Sequence, residues 1–256
     1  MSGSRWRLRL AYDGGPFAGW QSQAGGRAVQ DMVEAALADL CGTRVRVQGA
    51  GRTDAGVHAL GQVAHFDAPG SMAALQPQRW RDALNVRLPA TIRVLDACPV
   101  AAEFHARFSA CGKHYRYRIG FGPVLPPFEP GHCWHRRYPL DASHLRWLAS
   151  WLHGRHDFRR LAANRRRGSE PASTVRSLWR LQVREPADGV MEFHIEGNGF
   201  LYRMVRMIVG SLVAVVEGRR DEGWLIDLLR RPDAPDKSPH CAPAAGLCLM
   251  QVHYPQ

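Results

Sequence analysis

The stretch GAGRTDAGVH, residues 49–58, lies between two segments in which apolar and polar residues alternate. RVRVQGA (44–50) runs into it, and LGQVAHF (60–66) follows it. Alternation with a period of two predicts β-strands that bury one face. The sequence therefore places this stretch in a loop between two strands.

One acidic residue of this loop is a candidate for chemistry. Asp54 lies between Gly51 and Gly56, which allow a tight turn and the close approach of a ligand. Arg52 is two positions away, and its positive charge would favour the ionised carboxylate. A turn aspartate that accepts hydrogen bonds from nearby amides has the same pattern, so the residues alone leave both interpretations open.

The pattern on both sides of this loop predicts an α+β arrangement in the order β-α-β-β-α-β. The strands are predicted at RLRLAYDG (7–14), RVRVQGA (44–50), LGQVAHF (60–66) and TIRVLDACPV (91–100), and the helices at VQDMVEAALADL (29–40) and RWRDALNVRLP (79–89).

The rest of the chain predicts a second α+β half of similar order. Strands are predicted at KHYRYRIG (113–120), SLWRLQVR (177–184), VMEFHIEGNGF (190–200) and GLCLMQVHYP (246–255), and helices at DASHLRWLASWLHG (141–154), FLYRMVRMIVGSLVAVVEG (200–218) and DEGWLIDLLRR (221–231). The proline-rich linker GPVLPPFEPG (122–131) predicts a division into halves 1–122 and 123–256.

Composition narrows the class of protein. The chain has 256 residues, a formal net charge of +11 and a pI of about 10.0, which favours partners rich in phosphate or anionic lipid. Six cysteines without a CxxC pair indicate free or buried thiols in a reducing cytosol. The longest apolar run, 207–216, is about half of the ~20 residues that span a membrane. We expect a soluble cytoplasmic protein.

Arginines recur opposite the apolar rows of several predicted strands. They are Arg7, Arg9, Arg44, Arg46, Arg116, Arg118 and Arg180. Such a sheet face is either a platform for a phosphate backbone or a solvated surface. Arg165, Arg166 and Arg167 form a further basic run in a loop, which is either solvated or a clamp for phosphates.

Motifs of other enzyme classes are missing from the sequence. It contains no GxSxG, which argues against a serine hydrolase elbow, and no P-loop. The histidines do not form two pairs of ligands at helical spacing, so we expect no metal site.

The chain resembles the A family of tRNA pseudouridine synthases. GRTDAGVHA (51–59) is similar to the catalytic motif of that family, and YDGGPFAGWQSQ (12–23) to its amino-terminal signature. FHARFSA (104–110), YRY (115–117) and GNGFLYRMVRMIVG (197–210) follow in family order, as do LN with LP at 84–89 and the closing GL and YP. The likeness covers nearly the whole chain, although Met207 and Cys248 differ from the residues usual in relatives.

This resemblance implies the fold, the reaction and the partners. The fold would be two ferredoxin-like halves with antiparallel sheets joined around a central basic cleft. The reaction would convert uridine to pseudouridine at positions 38, 39 and 40 in the anticodon stem-loop of tRNA, without a cofactor or metal. The family forms homodimers, so a homodimer is implied as well.

The resemblance also implies roles for four residues. Asp54 matches the nucleophile, and Tyr115 matches the active-site tyrosine that stacks on the base and is a candidate for proton transfer. Arg52 and Arg206 match arginines near the site. From its place beside Asp54, Arg52 would fill the gap that an extruded base leaves, and Arg206 would stabilise negative charge on the leaving uracil.

Two alternatives share some of these features. A non-catalytic RNA-binding protein would have the same arginine-rich strands and salt-dependent binding but would form no product. A glycosidase would need a second carboxylate, for which Asp67 and Asp96 are the candidates, but their spacing does not support it.

Overall fold

The computed structural model describes residues 4–72, 74–164 and 173–255. They form two compact units, one built from 1–111 with 248–256 and the other from 112–247. Both units combine helices with mainly antiparallel strands, which confirms the predicted α+β class. The division into domains at residue 122 stays a prediction.

Strands and helices alternate along the chain. The strands are β1 (Arg5–Tyr12), β2 (Gln48–Gly49), β3 (His58–Asp67), β4 (Ile92–Pro99), β5 (Gly112–Phe121), β6 (Trp134–Arg136), β7 (Gly154–Asp157), β8 (Val175–Ala187), β9 (Val190–Gly197) and β10 (Leu247–His253). The helices are α1 (Val29–Cys41), α2 (Pro77–Arg87), α3 (Ala142–Trp151), α4 (Met204–Val216) and α5 (Glu222–Arg230).

The sheet of the first unit has the order β4-β1-β3-β10. β1 pairs antiparallel with β3 and β4, whereas β10 returns from the far end of the chain to pair parallel with β3. Trp80 on α2 packs against Trp6 and Phe66, with ring centroids 5.6 and 5.1 Å away. Leu8 and Leu10 are fully buried on β1, and each contributes about 2 kcal/mol through its burial. The alternating pattern of β1 thus forms one wall of the core.

The sheet of the second unit has the order β5-β9-β8-β7, with β6 parallel to β5. β5, β9 and β8 are antiparallel, and Tyr117 on β5 lies opposite Phe193 on β9. Both side chains are fully buried. From Met204 to Val215, every residue of α4 except Arg206 is buried. The mostly apolar sequence of α4 therefore reflects a core helix.

Most predicted elements are confirmed, with three differences. Residues 44–47 alternate between exposed and buried positions but form no strand, so the strand predicted at 44–50 is reduced to Gln48–Gly49. The helix predicted at 141–154 is shorter in the structure, because Asp141 caps α3 by accepting a hydrogen bond from the His144 amide, 3.0 Å away, and α3 ends at Trp151. Gly154 does not end that helix, because it begins β7 with a φ of 97°. The short strands β6 and β7 were not predicted from the sequence.

Within the described residues, no helix combines the length and apolar character needed to cross a membrane.

A buried histidine makes the stability of the first unit depend on pH. His65 on β3 accepts a hydrogen bond at Nδ1 from the Ala106 amide, 3.1 Å away, and is 2% exposed. Burial is the largest of the effects that lower the pKa of His65 to about 4, and the nearby charges of His105 and Arg5 act in the same direction. Protonation of Nδ1 would remove the acceptor, so the folded protein keeps this ring neutral.

We expect the free energy of unfolding to fall as pH decreases from 6.5 toward 4. In this window the unfolded His65 binds a proton that the folded protein excludes. Urea unfolding at several pH values measures the slope. His65→Asn, whose side-chain oxygen replaces the Nδ1 acceptor but does not titrate, should have a shallower slope. Equal slopes for the two proteins would contradict this account.

Candidate active site

Asp54 begins a tight turn just before β3. Its carbonyl accepts a hydrogen bond from the Val57 amide, 3.1 Å away. Gly56, the third residue of this turn, has a φ of 76°, which L side chains rarely adopt. The side chain of Asp54 is partly buried and that of Arg52 is exposed. The turn therefore fixes the backbone that carries the predicted nucleophile.

A buried hydrogen-bond network anchors the segment just before Asp54. The Tyr12 hydroxyl and Thr53 Oγ1 are 2.8 Å apart. Gln62 Nε2 donates to the carbonyl of Gly51 at 2.9 Å and to the Tyr12 hydroxyl at 3.3 Å. Burial raises the pKa of Tyr12, so its hydroxyl keeps its proton. This network ties the loop to two strands, β1 and β3.

The signature region at 13–20 lies directly against this loop. The Trp20 amide donates to the Thr53 carbonyl at 3.0 Å. A Cβ on Gly19 would lie 2.6 Å from the same carbonyl oxygen, and one on Gly14 would lie 2.0 Å from the carbonyl oxygen of Val57. These glycines are therefore required, because any side chain would push the two loops apart.

A histidine lies on the other side of the turn. His58 is buried, and its Nδ1 accepts a hydrogen bond from the Gly14 amide at 3.1 Å. The Asp13 carboxylate is also 3.1 Å from Nδ1 and accepts from the Gly15 amide at 2.9 Å. Nδ1 can accept from Gly14 or donate to Asp13, but not both at once. Either arrangement joins the residue that follows the turn to the signature loop.

Tyr115 and Tyr117 are on the same side of β5, as their alternation predicts. Tyr115 is 7% exposed, and its ring meets that of Phe200 edge-on, with centroids 5.0 Å apart and planes at 82°. Tyr117 is fully buried and donates to the Pro243 carbonyl at 2.8 Å. Burial raises the pKa of Tyr117. The hydroxyl of Tyr117 thus has a structural partner, and Tyr117 is a core residue of the second unit.

Arg206 is on the first turn of α4. Its Nε donates to the carbonyl of Ala242 at 2.7 Å, and the Ala242 amide donates to the Arg206 carbonyl at 3.0 Å. The helix begins after Arg203, which has a φ of 57° and stacks its guanidinium on the Tyr202 ring, 5.0 Å from the centroid. Arg206 is therefore held on both its backbone and its side chain.

Several of the strand arginines face carboxylates rather than solvent. Arg116 lies 3.5 Å from Glu192, and Arg180 lies 2.7 Å from Glu196. Arg118 pairs with Glu129 at 3.0 Å and Glu192 at 3.4 Å, and Arg7 lies 3.9 Å from Asp96. Arg9, Arg44 and Arg46 are exposed. The face of β5, β9 and β8 is therefore a network of ion pairs and not a purely basic platform.

The predicted site residues are distributed over both units. Asp54 and Arg52 share one loop of the first unit. Tyr115 on β5 and Arg206 on α4 belong to the second. The basic run Arg165, Arg166 and Arg167 lies outside the described residues. Gln62 was not predicted as a support of the Asp54 loop, and its only signal is its place as a polar residue within a strand buried on both faces.

Comparison with known proteins identifies the family. A sequence profile of the family described as tRNA pseudouridine synthase matches residues 10–109 and 148–255, which is most of the chain. The chain belongs to the tRNA pseudouridine synthase family. Both the catalytic-type motif around Asp54 and the helix that carries Arg206 lie within the matched residues.

Individual members of the tRNA pseudouridine synthase family align along almost the whole chain. A protein of Akkermansia muciniphila named tRNA pseudouridine synthase A is 45% identical over 99% of this chain and 96% of its own length. Proteins of the same name from Solidesulfovibrio magneticus and Syntrophotalea carbinolica are 47% and 43% identical, over 98% and 97% of this chain and 91% and 95% of their own lengths. The similarity is therefore not confined to one motif or one unit.

Tyr12→Phe tests whether the buried network positions the Asp54 loop. Loss of the hydroxyl should lower stability by about 1–2 kcal/mol and kcat by about tenfold, because the Thr53 bond is lost. Urea unfolding and turnover of tRNA measure the two effects. Tyr254→Phe is the matched control, since the Tyr254 hydroxyl donates to the Ala106 carbonyl at 2.7 Å in the same unit. It should lose stability without losing kcat, and equal kcat values for the two variants would refute the positioning role of Tyr12.

Proposed function

We propose that this protein converts uridine to pseudouridine at positions 38, 39 and 40 in the anticodon stem-loop of tRNA, with Asp54 as the nucleophile. Membership of the tRNA pseudouridine synthase family makes the chain an enzyme that isomerises uridine in tRNA. The observation that carries the finer proposal is the GRTDAG motif on a loop fixed by the Tyr12 and Gln62 hydrogen bonds.

The reaction is an isomerisation that balances without an oxidant or reductant. The bond between N1 of uracil and C1′ of ribose breaks, and a bond from C5 to C1′ forms. C5 loses a proton, and N1 gains one. The protein must therefore hold the detached uracil, supply a carboxylate and move protons, all of which side chains can do.

Three routes use an ionised aspartate in this reaction. Asp54 can attack C1′, attack C6 of uracil, or take a proton from C2′ so that a glycal forms. In each route the carboxylate needs a fixed position relative to the sugar, because misplacement by about 1 Å costs on the order of 10²-fold in rate. The hydrogen-bonded turn from Asp54 to Val57 supports this requirement.

The remaining residues have roles that follow from their chemistry. The target base must leave its stack, which costs a few kcal/mol. Arg52, which is exposed beside Asp54, is suited to fill the gap in the stack. The aromatic ring of Tyr115 is suited to stack on the extruded uracil, and Arg206 to stabilise the negative charge that develops on it.

We also propose that the enzyme forms a homodimer and acts in the cytoplasm. The family resemblance supports the homodimer, and a tRNA substrate supports the cytoplasmic location. The net charge of +11 favours binding of the polyanionic substrate. Arg165, Arg166 and Arg167 are proposed to contact the tRNA backbone.

Loss of tritium from C5 of uridine tests the role of Asp54. Wild-type enzyme should release label from tRNA transcripts that carry [5-³H]uridine, and Asp54→Ala should release none. Asp82→Asn, which alters an exposed carboxylate paired with Arg81, should match wild type. Mapping of the product by mass spectrometry should find pseudouridine at positions 38, 39 and 40. Release by Asp54→Ala would overturn the assignment of the nucleophile, and product at other positions would overturn the proposed target.

Membership of the tRNA pseudouridine synthase family argues against the alternative of a non-catalytic RNA-binding protein.

Arg52→Ala should impair the chemical step more than tRNA binding. If Arg52 occupies the space of the extruded base, its loss should lower the single-turnover rate about tenfold or more and change the Kd for tRNA by less than about threefold. Single-turnover kinetics and filter binding measure the two quantities. Arg44→Ala removes another exposed arginine of the same unit and should leave the single-turnover rate unchanged. A loss confined to affinity would contradict the place of Arg52 beside the reacting base.

A further inference from the structure

A buried arginine in the second unit is bound to two segments of the chain at once. Arg160 belongs to a short 3-10 turn, Arg159–Leu161, and is 1% exposed. Its guanidinium reaches both Asp227 on α5 and Asp236 in the loop that follows α5. We call residues 232–243 the Arg160 loop.

The hydrogen bonds of Arg160 use all three of its nitrogens. Nε donates to the carbonyl of Asp236 at 2.7 Å, and Nη2 donates to the carboxylate of Asp236 at 2.6 Å. Nη1 lies 2.8 Å from both the carbonyl and the carboxylate of Asp227, and 3.2 Å from the carbonyl of Arg231. A buried charge is stable only when it is matched in this way.

Arg160 and Asp227 stabilise each other's charged forms. Burial lowers the pKa of Arg160, but the hydrogen bonds that it donates to Asp227 and Asp236 outweigh burial and raise the pKa overall. The hydrogen bond from Arg160 in turn lowers the pKa of Asp227. Arg160 and Asp227 are therefore both ionised at neutral pH, and removal of Arg160 would leave Asp227 with only its exposed pair to Arg231, 3.4 Å away.

From this anchor, the Arg160 loop is bonded step by step to neighbouring segments. The Ser238 amide donates to the Arg160 carbonyl at 2.9 Å. The Ser238 hydroxyl is 2.7 Å from that of Ser211 on α4, and Ser211 Oγ donates to the Met207 carbonyl at 2.7 Å. Lys237 Nζ donates to the Ala162 carbonyl at 3.0 Å. The loop is thus held at its start by Arg160 and along α4 by buried hydroxyls.

The end of the Arg160 loop lies against α4 at the level of Arg206. A Cβ on Gly210 would lie 2.8 Å from the carbonyl oxygen of His240 and 2.9 Å from the Ala242 amide nitrogen, so only glycine permits this approach. At this point Arg206 Nε donates to the Ala242 carbonyl at 2.7 Å. One carbonyl of the loop therefore sets the plane of the Arg206 guanidinium, whose terminal nitrogens carry the other four N–H donors.

We propose that Arg160 is a positioning residue for the isomerase reaction, which acts through the Arg160 loop to orient Arg206. Arg160 does not touch the substrate in this proposal. It fixes Asp236 and Ser238, the loop continues to Ala242, and the Ala242 carbonyl aims the Arg206 guanidinium. The inference rests on the proposed role of Arg206 toward the leaving uracil.

Kinetics of Arg160→Met are the first test. The variant keeps an unbranched apolar side chain but loses every hydrogen bond of the guanidinium. We expect kcat for tritium release to fall about 10- to 100-fold, with an unchanged Kd for tRNA. Arg159→Ala is the matched control, because Arg159 is the adjacent residue and pairs with Asp233 on the same loop at an exposed site. It should keep the kcat of wild type.

A double-mutant cycle separates positioning from a general structural effect. Arg206→Lys is made alone and together with Arg160→Met. If Arg160 acts through Arg206, the loss caused by Arg160→Met should largely vanish in the Arg206→Lys background. Additive losses of kcat would overturn the proposal, even if Arg160→Met alone is impaired.

A spectroscopic measurement checks the same link without activity. The NMR signal of the Arg206 Nε–H group, assigned by its disappearance in Arg206→Lys, should exchange faster with water in Arg160→Met than in wild type or Arg159→Ala. Unchanged exchange would overturn the proposal. Should Arg160→Met not fold, Ser238→Ala removes one later link and should show the same effects, with a smaller loss of kcat.

The experiments distinguish a failure of the proposed role of Arg160 from a failure of the proposed function. Absence of pseudouridine with wild-type enzyme would refute the proposed function. Normal conversion by wild type together with additive losses in the cycle would refute only the role of Arg160.

Discussion

The candidate site depends on the close contact between two backbone segments of the first unit. Gly14 and Gly19 bring the signature loop so near to Thr53 and Val57 that a Cβ at either glycine would overlap a carbonyl. The Trp20 amide then bonds directly to the Thr53 carbonyl. Because main-chain atoms make this contact, the loop has few alternative positions. The backbone that carries the Asp54 carboxylate is therefore restricted as well.

In the second unit, side-chain hydrogen bonds rather than close backbone contacts hold the loop near the candidate site in place. There the supports are long-range bonds from side chains to backbone carbonyls, from Tyr117 to Pro243 and from Arg206 to Ala242. Both acceptors belong to one stretch that has little regular secondary structure. A loop with so many buried partners is a rigid part of the unit, although its proline-rich sequence resembles that of a linker.

Only some of the arginines of this protein have a positive charge that is available to a polyanion. The net charge of +11 describes the chain as a whole, but Arg116, Arg118 and Arg180 pair with Glu192 and Glu196 on their own sheet face. A count of arginines therefore overstates the charge available to a polyanion. Partners across a strand decide which arginines are available, and the sequence pattern of one strand does not contain that information.

Local patterns predicted most of the elements but few of the contacts. β1, β3, β5 and the long helices were found because their apolar residues repeat at the correct period. β6 and β7 have three and four residues, too few for a period to be visible. Residues 44–47 alternate as a strand does, yet the backbone of Val47 forms hydrogen bonds with Gln30 and Glu34 on α1 instead of with a strand.

For the candidate site, motifs predicted Asp54 and Arg206, whereas the residues that support them were not predicted from the sequence. Arg159 and Arg160 are adjacent and chemically identical, but one lies at the surface and the other is buried. Only the positions of Asp227 and Asp236, 67 and 76 residues further along the chain, make that difference. Sequence spacing over such distances does not reveal which residues meet.

The return of β10 to the first unit has a consequence for biosynthesis. The ribosome makes residues 112–247 in one continuous run, so the second unit is complete before the strand at Leu247–His253 emerges. Until then β3 lacks its parallel neighbour, and its edge carries unpaired amides and carbonyls. The half that holds the acidic loop, although translated first, therefore needs β10 to complete its sheet.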